Sequence, residues 1–335
     1  MTLRSFNWPH AIACLLVAVT AVLLSFGALV TTYEAAMAVP DWPGTYGHNM
    51  FLFPLGQWLH GPWDLFLEHG HRLLGAATGV VTLVLVAVAW RGQAAPAVRW
   101  LAVAAVGLVV VQGLLGGARV LLDDKTVAKV HACTGPLFFA VAVAIATATR
   151  PQAATSARRI SAEPPSPRVI VASTAAAGLV IASYLQLVAG AQLRHMDATV
   201  DPFTFRWLVG VHVAGAAIVA AVAFVLAWAN ASAPAATRGW SWLIAGLIIA
   251  QVLLGCGAWV ASWGLPSGLL PADWQPARAV VARSTTGALV VTGHVLLGMA
   301  ILGSSVVLWI IGGGLAARGD VGRLPGDAET QRAFA

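Results

Sequence analysis

Glu68-His69-Gly70-His71-Arg72-Leu73-Leu74-Gly75 sets two imidazoles, a carboxylate and a guanidinium at the mouth of an apolar run that continues to Trp90. Ionisable side chains at the edge of hydrocarbon are costly and usually functional. The arrangement returns three times. His131, His212 and His294 each open a further apolar run, and each is followed four residues later by Gly135, Ala216 or Gly298, as His71 is by Gly75.

Working outward, the chain contains eight apolar runs of the length that crosses a bilayer, about 20 residues. They are Ile12 to Thr32, Leu73 to Trp90, Trp100 to Leu122, Val130 to Thr149, Val169 to Gln192, Trp207 to Trp228, Trp240 to Trp263 and Gly287 to Ile311. Of 335 residues, 59% are hydrophobic and only 10% charged, and the mean hydropathy is +0.81. Soluble domains carry about 25% charged residues, so this composition excludes one. The fold class read here is an all-α integral membrane protein whose eight transmembrane helices form two pseudo-symmetric four-helix bundles. The first run is too long for a signal peptide and has no clear small-residue cleavage site before Tyr33, so it is read as a retained helix.

Basic residues mark the cytoplasmic side of short loops. One side holds eleven Lys/Arg against four Asp/Glu, the other eight against nine, which makes both termini cytoplasmic in a multi-pass protein of the cell inner (plasma) membrane. The net charge of +6 then reflects topology, with lipid as the surrounding partner and no nucleic acid. Cys14, Cys133 and Cys256 all fall inside apolar runs, so neither a loop disulfide nor a Cys-x-x-Cys haem attachment is expected.

The domain organisation follows from the connections. Residues 1–150 form an N-terminal four-helix unit, 151–168 an Ala/Ser/Pro-rich cytoplasmic linker, 169–317 a C-terminal four-helix unit and 318–335 a cytoplasmic tail. The outer loop Tyr33 to Leu67, dense in Trp and Pro, is expected to fold over the membrane surface as a lid. The units read as a repeat. Even-numbered runs carry His-x-x-x-Gly/Ala near the first turn; the third, fifth and seventh carry Gln-x-x-x-Gly (Gln112 to Gly116, Gln186 to Gly190, Gln251 to Gly255), and the first has Leu23 before Gly27. All four histidines then lie at nearly one depth, near the outer surface.

Neutral imidazole is a good axial ligand for haem iron, and facing helices of a bundle can present one from each side of a porphyrin. A small residue one turn from the ligand lets a flat ring approach, although small residues also pack helices together. Zinc is the competing metal, with the loop residues His48, His60 and His195 as added ligands. His10 reads as a solvated cytoplasmic residue and His69 as a weaker ligand than His71. Glu68 is either a charge or proton group beside His71 or a helix-start carboxylate favoured by the dipole. Arg72, Arg119, Lys129, Arg194, Arg206 and Arg283 populate the outer ends, where propionates would need cations; Arg72, Lys129 and Arg206 are the helper candidates carried forward.

These residues resemble the haem A synthase family. The resemblance rests on Gly27-Ala-Leu-Val-Thr-Thr with Pro40-Asp-Trp-Pro43, on Glu68-x-x-His71-Arg72, on Gln112-Gly-Leu-Leu-Gly-Gly117, on Gln186 to His195, and on His212 and His294. It implies an oxidoreductase that converts the methyl group of haem O to the formyl group of haem A for cytochrome oxidase biogenesis. Haem b would sit between His212 and His294 as cofactor, the substrate haem between His71 and His131, and Glu68 would match the family's functional carboxylate. The implied partners are haem O, haem A, haem O synthase and the cytochrome oxidase assembly machinery, with the electron donor open. The loop cysteine pair of many bacterial members is absent here. The alternatives are a two-haem b-type membrane electron-transfer cytochrome and a haem-binding or transport protein without chemistry.

Overall fold

The computed structural model describes residues 6–92, 94–151, 167–196, 199–264 and 284–313. The expected tail 318–335, Arg283 and nearly all of the expected linker 151–168 lie outside them. The described residues form α-helices and one 3-10 turn, with a single isolated bridge between Thr45 and His48. The long helices are α1 (Trp8–Thr32), α3 (Trp63–Arg91), α4 (Pro96–Leu122), α5 (Lys125–Ala148), α6 (Pro167–Arg194), α7 (Pro202–Ala229), α8 (Ala235–Trp263) and α9 (Thr285–Ile311); the short α2 (Leu55–Leu59) lies in the first loop. All eight long helices are long and apolar enough to cross a membrane, and the chain is a multi-pass membrane protein.

Several helices begin well before the apolar runs that announced them. A hydropathy run finds the part that needs hydrocarbon, but the helix continues through the interface until a cap stops it. Asp124 accepts the Val127 N–H at 2.8 Å, Asp201 the Phe203 and Thr204 N–H groups at 3.0 Å, and Ser284 the Gly287 N–H at 3.1 Å. The histidines therefore do not sit in first turns as expected. His71 is eight residues past Trp63, His131 six past Lys125, His212 ten past Pro202 and His294 nine past Thr285, which is about 9–15 Å along each axis.

One apolar cluster joins α1, α3, α4 and α5 through Leu16, Leu85, Ala102, Phe138 and Ile145; another joins α6, α7, α8 and α9 through Leu179, Ala223, Ile244 and Leu308. A third, with Phe139, Val143, Met299 and Val306, lies between α5 and α9. Within lipid there is no hydrophobic drive between helices, so association rests on close packing and buried polar contacts. Large apolar side chains such as Trp100, Leu253 and Leu289 point outward, as a lipid-facing surface requires.

Candidate functional site

The four histidines meet in two pairs. The His71 and His131 ring centroids are 6.3 Å apart with an interplanar angle of 84°, and those of His212 and His294 are 6.3 Å apart at 70°. An imidazole nitrogen binds a metal at about 2 Å, so two rings on opposite sides of one ion, each centre roughly 1 Å further back, put their centroids about 6 Å apart. Both pairs fit that arrangement. Among the described residues no group of three or more His, Cys, Asp and Glu converges on a metal position, so the three or four ligands that zinc wants are not brought together.

Each ring is seated on a glycine of the preceding long helix. A Cβ on Gly27 would lie 2.9 Å from His71 Cε1, on Gly116 3.5 Å from His131 Cε1, on Gly190 3.2 Å from His212 Cε1 and on Gly255 3.0 Å from His294 Cε1. The residue four positions before each glycine supplies the matching polar contact. His71 Nδ1 lies 3.3 Å from the Leu23 carbonyl and His294 Nδ1 3.2 Å from the Gln251 carbonyl. A carbonyl can only accept, so Nδ1 carries the proton in both, which leaves the Nε2 lone pair for a metal. Gln186 Nε2 donates to the His212 carbonyl at 2.7 Å and lies 3.1 Å from its Nδ1; Gln112 Nε2 donates to the His131 carbonyl at 3.3 Å and to Thr134 Oγ1 at 2.5 Å. The Gln-x-x-x-Gly repeat is thus a holder for the histidine on the next helix.

That result corrects the role expected for the small residues after the histidines. Only beside Gly75 is there open space. A Cβ on Gly298 would meet Leu187 at 2.9 Å and Gln251 Nε2 at 3.3 Å, one on Gly135 would meet Leu24 at 3.5 Å, and one on Gly215, beside Ala216, would collide with Gln186 Oε1. There, smallness admits side chains of neighbouring helices.

Beside the first pair, the described residues bring together a buried carboxylate and the first loop. Glu68 lies inside α3 and is 4% exposed, so it is no helix-start cap. Its Oε1 accepts from Arg72 Nη2 at 2.7 Å and its Oε2 from the Val39 N–H at 2.8 Å. Arg72 also donates to the carbonyls of Val39, Asp41 and Gly44 at 2.6–2.8 Å. Both its terminal nitrogens are taken, which makes it a holder of the loop and not a cation free for a propionate. Trp42 rests against Gly117, where a Cβ would lie 2.6 Å from the indole, so the two adjacent glycines of α4 seat one ring each. Asp41 accepts the Tyr46 and Gly47 N–H groups at 2.8 and 3.0 Å. Burial pushes its carboxyl up, but those bonds and the Arg72 charge outweigh it and hold the carboxyl below the usual value. His69 is buried against Phe53 and Trp58 with Nδ1 3.0 Å from Thr45 Oγ1, so it belongs to the loop and not to the metal pair.

At the outer ends, Arg119 is near enough to His71 and His131 to act on both electrostatically. Lys129 is half-buried and Arg206 exposed. His195 lies just past α6 and is held down to about 4 by burial, then by the charges of Arg194, Arg119 and Lys129. His10 is not a solvated residue as expected, since its Nδ1 lies 3.0 Å from the Ala146 carbonyl and its ring is half-buried. Sequence reading had singled out the Gln-x-x-x-Gly spacing without a role for it, and nothing local announced the Val39 or Thr45 contacts.

Residues 63–215 match the model of a family described as Cytochrome oxidase assembly protein. Over that stretch, a little under half of the chain, the sequence is similar to this family. A Heme A synthase of Shouchella clausii (strain KSM-K16) is 29% identical over 183 residues, 52% of this chain and 54% of that relative. The matching region thus spans about half the length of the curated relative. The haem A synthase resemblance read from the motifs is borne out at this level. The family match contains Glu68, His71, His131 and His212 but neither the first loop before Trp63 nor His294.

Proposed function

We propose that the protein is a haem A synthase-like oxidoreductase that takes haem O to haem A, with haem b as its resident relay. The observation that carries the reading is the inequality of two otherwise matched histidine pairs: the same 6.3 Å spacing in each, but, among the described residues, a clamped loop with a buried carboxylate beside the first alone. Residues 1–150 form the substrate unit and 169–317 the haem b unit. His71 and His131 receive the substrate haem; His212 and His294 hold haem b, which when bound supplies one-electron redox chemistry. Glu68 keeps negative charge in a water-poor site next to the first pair, where positive charge developing at the substrate edge is stabilised. Arg72 positions that carboxylate and the loop that excludes water. Haem O synthase and cytochrome oxidase assembly are the partners on either side of the reaction. The membrane is the cell inner membrane, with cytoplasmic termini.

The equal spacing of the pairs favours a second reading, a two-haem b-type cytochrome that only carries electrons. Pigments extracted from purified protein after expression with a haem O supply separate the two by mass. Haem A, or a partly oxidised haem O, alongside haem b is the expected result; haem b alone makes the protein a cytochrome. His212→Ala and His294→Ala should each lose most of the haem b, and full retention in either removes that pair as its site.

A further inference from the structure

Arg194, at the end of α6, is used by nothing in this reading. Its Nη2 donates to the Ala28 carbonyl at 2.6 Å and to Thr32 Oγ1 at 2.5 Å, both on α1. Its Nη1 is buried and has no hydrogen-bond partner among the described residues. An unpaired buried donor on a cation is among the costliest groups to leave alone, and the guanidinium fork is shaped for a carboxylate. The surroundings ask for the same thing: His195 feels the charges of Arg194, Arg119 and Lys129, and among the described residues no carboxylate acts on it.

The position is as specific as the chemistry. Arg194 lies four residues beyond Gly190, the seat of His212, so it stands one helical turn outward on the same face. Thr32, which holds its Nη2, also meets Thr292 Oγ1 at 3.3 Å, two residues before His294. Arg194 is therefore placed near the outer rim of the second pair by the seat helix of His212 and by Thr32, which touches the helix of His294, and it is close enough to act on His294 electrostatically.

We propose that Arg194 is a carboxylate anchor, binding through Nη1 a propionate of the porphyrin held by His212 and His294. This rests on the reading of those histidines as haem ligands. A cation on a propionate favours the reduced haem, so losing it lowers the midpoint potential. In the full chain purified from membranes, haem content, midpoint potential and the propionate bending bands in resonance Raman spectra are compared for wild type, Arg194→Gln, Arg194→Lys and Thr32→Val. A wild type without haem at His212 and His294 sinks the ligand reading itself, whatever Arg194 does. With haem present, Arg194→Gln should lower the potential and shift the propionate bands, Arg194→Lys should fall between, and Thr32→Val, which removes one of the two ties to α1 and leaves Nη1 and the Ala28 tie in place, should match wild type. An unchanged potential and Raman spectrum in Arg194→Gln overturns the proposal, and so does an equal shift in Thr32→Val. Should Arg194→Gln lose its haem, apo chains from haem-starved cells are loaded with haem b or its dimethyl ester. Wild type should prefer the free acid, and Arg194→Lys should prefer it less; the same preference in both overturns the proposal.

Discussion

Glu68 carries two roles on one carboxylate, and a single substitution separates them. Both oxygens are hydrogen-bonded, one to Arg72 and one to the loop backbone, so Gln can keep the contacts in part while removing the charge. If the charge serves the chemistry, Glu68→Gln should retain its haem b and make haem A on the order of 100-fold more slowly, read by mass spectrometry of the extracted haems. If the loop tie is the whole role, protease cleavage between Asp41 and Asn49 should rise in step with the lost activity; unchanged activity removes Glu68 from the mechanism. At the ring seats the forbidden atom is a carbon. Gly255→Val would push into the His294 ring, and overpacking of this kind costs about 1–3 kcal/mol, roughly 5- to 150-fold in haem retention. Gly246→Val, on the same helix with nothing within 4 Å, should bind haem as wild type does, and equal haem content in the two variants would refute the seat.

Among the elements, the first loop is the one with a pH limit. Asp41 organises its turn by accepting two backbone N–H groups, and its carboxyl is held below the usual value. A group with a depressed folded pKa contributes stability above its unfolded value, about 3.9, and that contribution is lost as pH falls through the folded value. The loop should therefore stay closed at neutral and mildly acidic pH and open only below about pH 4, whereas Asp41→Asn should open it at neutral pH. Hydrogen exchange of the Tyr46 and Gly47 amides measures both. Exchange that is no faster in Asp41→Asn would mean that the Arg72 and Glu68 contacts hold the loop without it.

For the whole molecule, the two pairs lie in separately packed sets of helices joined by the Phe139–Met299 cluster and by polar ties such as Tyr184 OH to the Cys133 carbonyl at 3.2 Å. Each pair draws its seats and holders from its own set, so damage to one should not empty the other. His131→Ala should abolish substrate haem binding yet leave the haem b spectrum of the second pair intact. Loss of both signals in a folded His131→Ala protein would show that the halves assemble their sites together.

The eight crossings and the four ligand candidates were legible in the chain because their signals are local: a run of apolar residues reports its own transfer to lipid, and an ionisable group at its edge reports an exception that must be explained. The pairing of His71 with His131 and of His212 with His294 was legible only through the family resemblance, and its geometry needed the fold. What glycine does here was not legible, since a glycine at helical spacing reads the same whether it faces lipid, as near Gly246, or a ring, as at Gly255. Only packing between helices distinguishes the two. Arg72 read as a cation for a propionate, and Glu68 as either a charged group beside His71 or a helix cap; the tertiary structure turned both inward onto Val39, Asp41 and Gly44, because a loop folded across buried ionic groups must satisfy them with its own backbone.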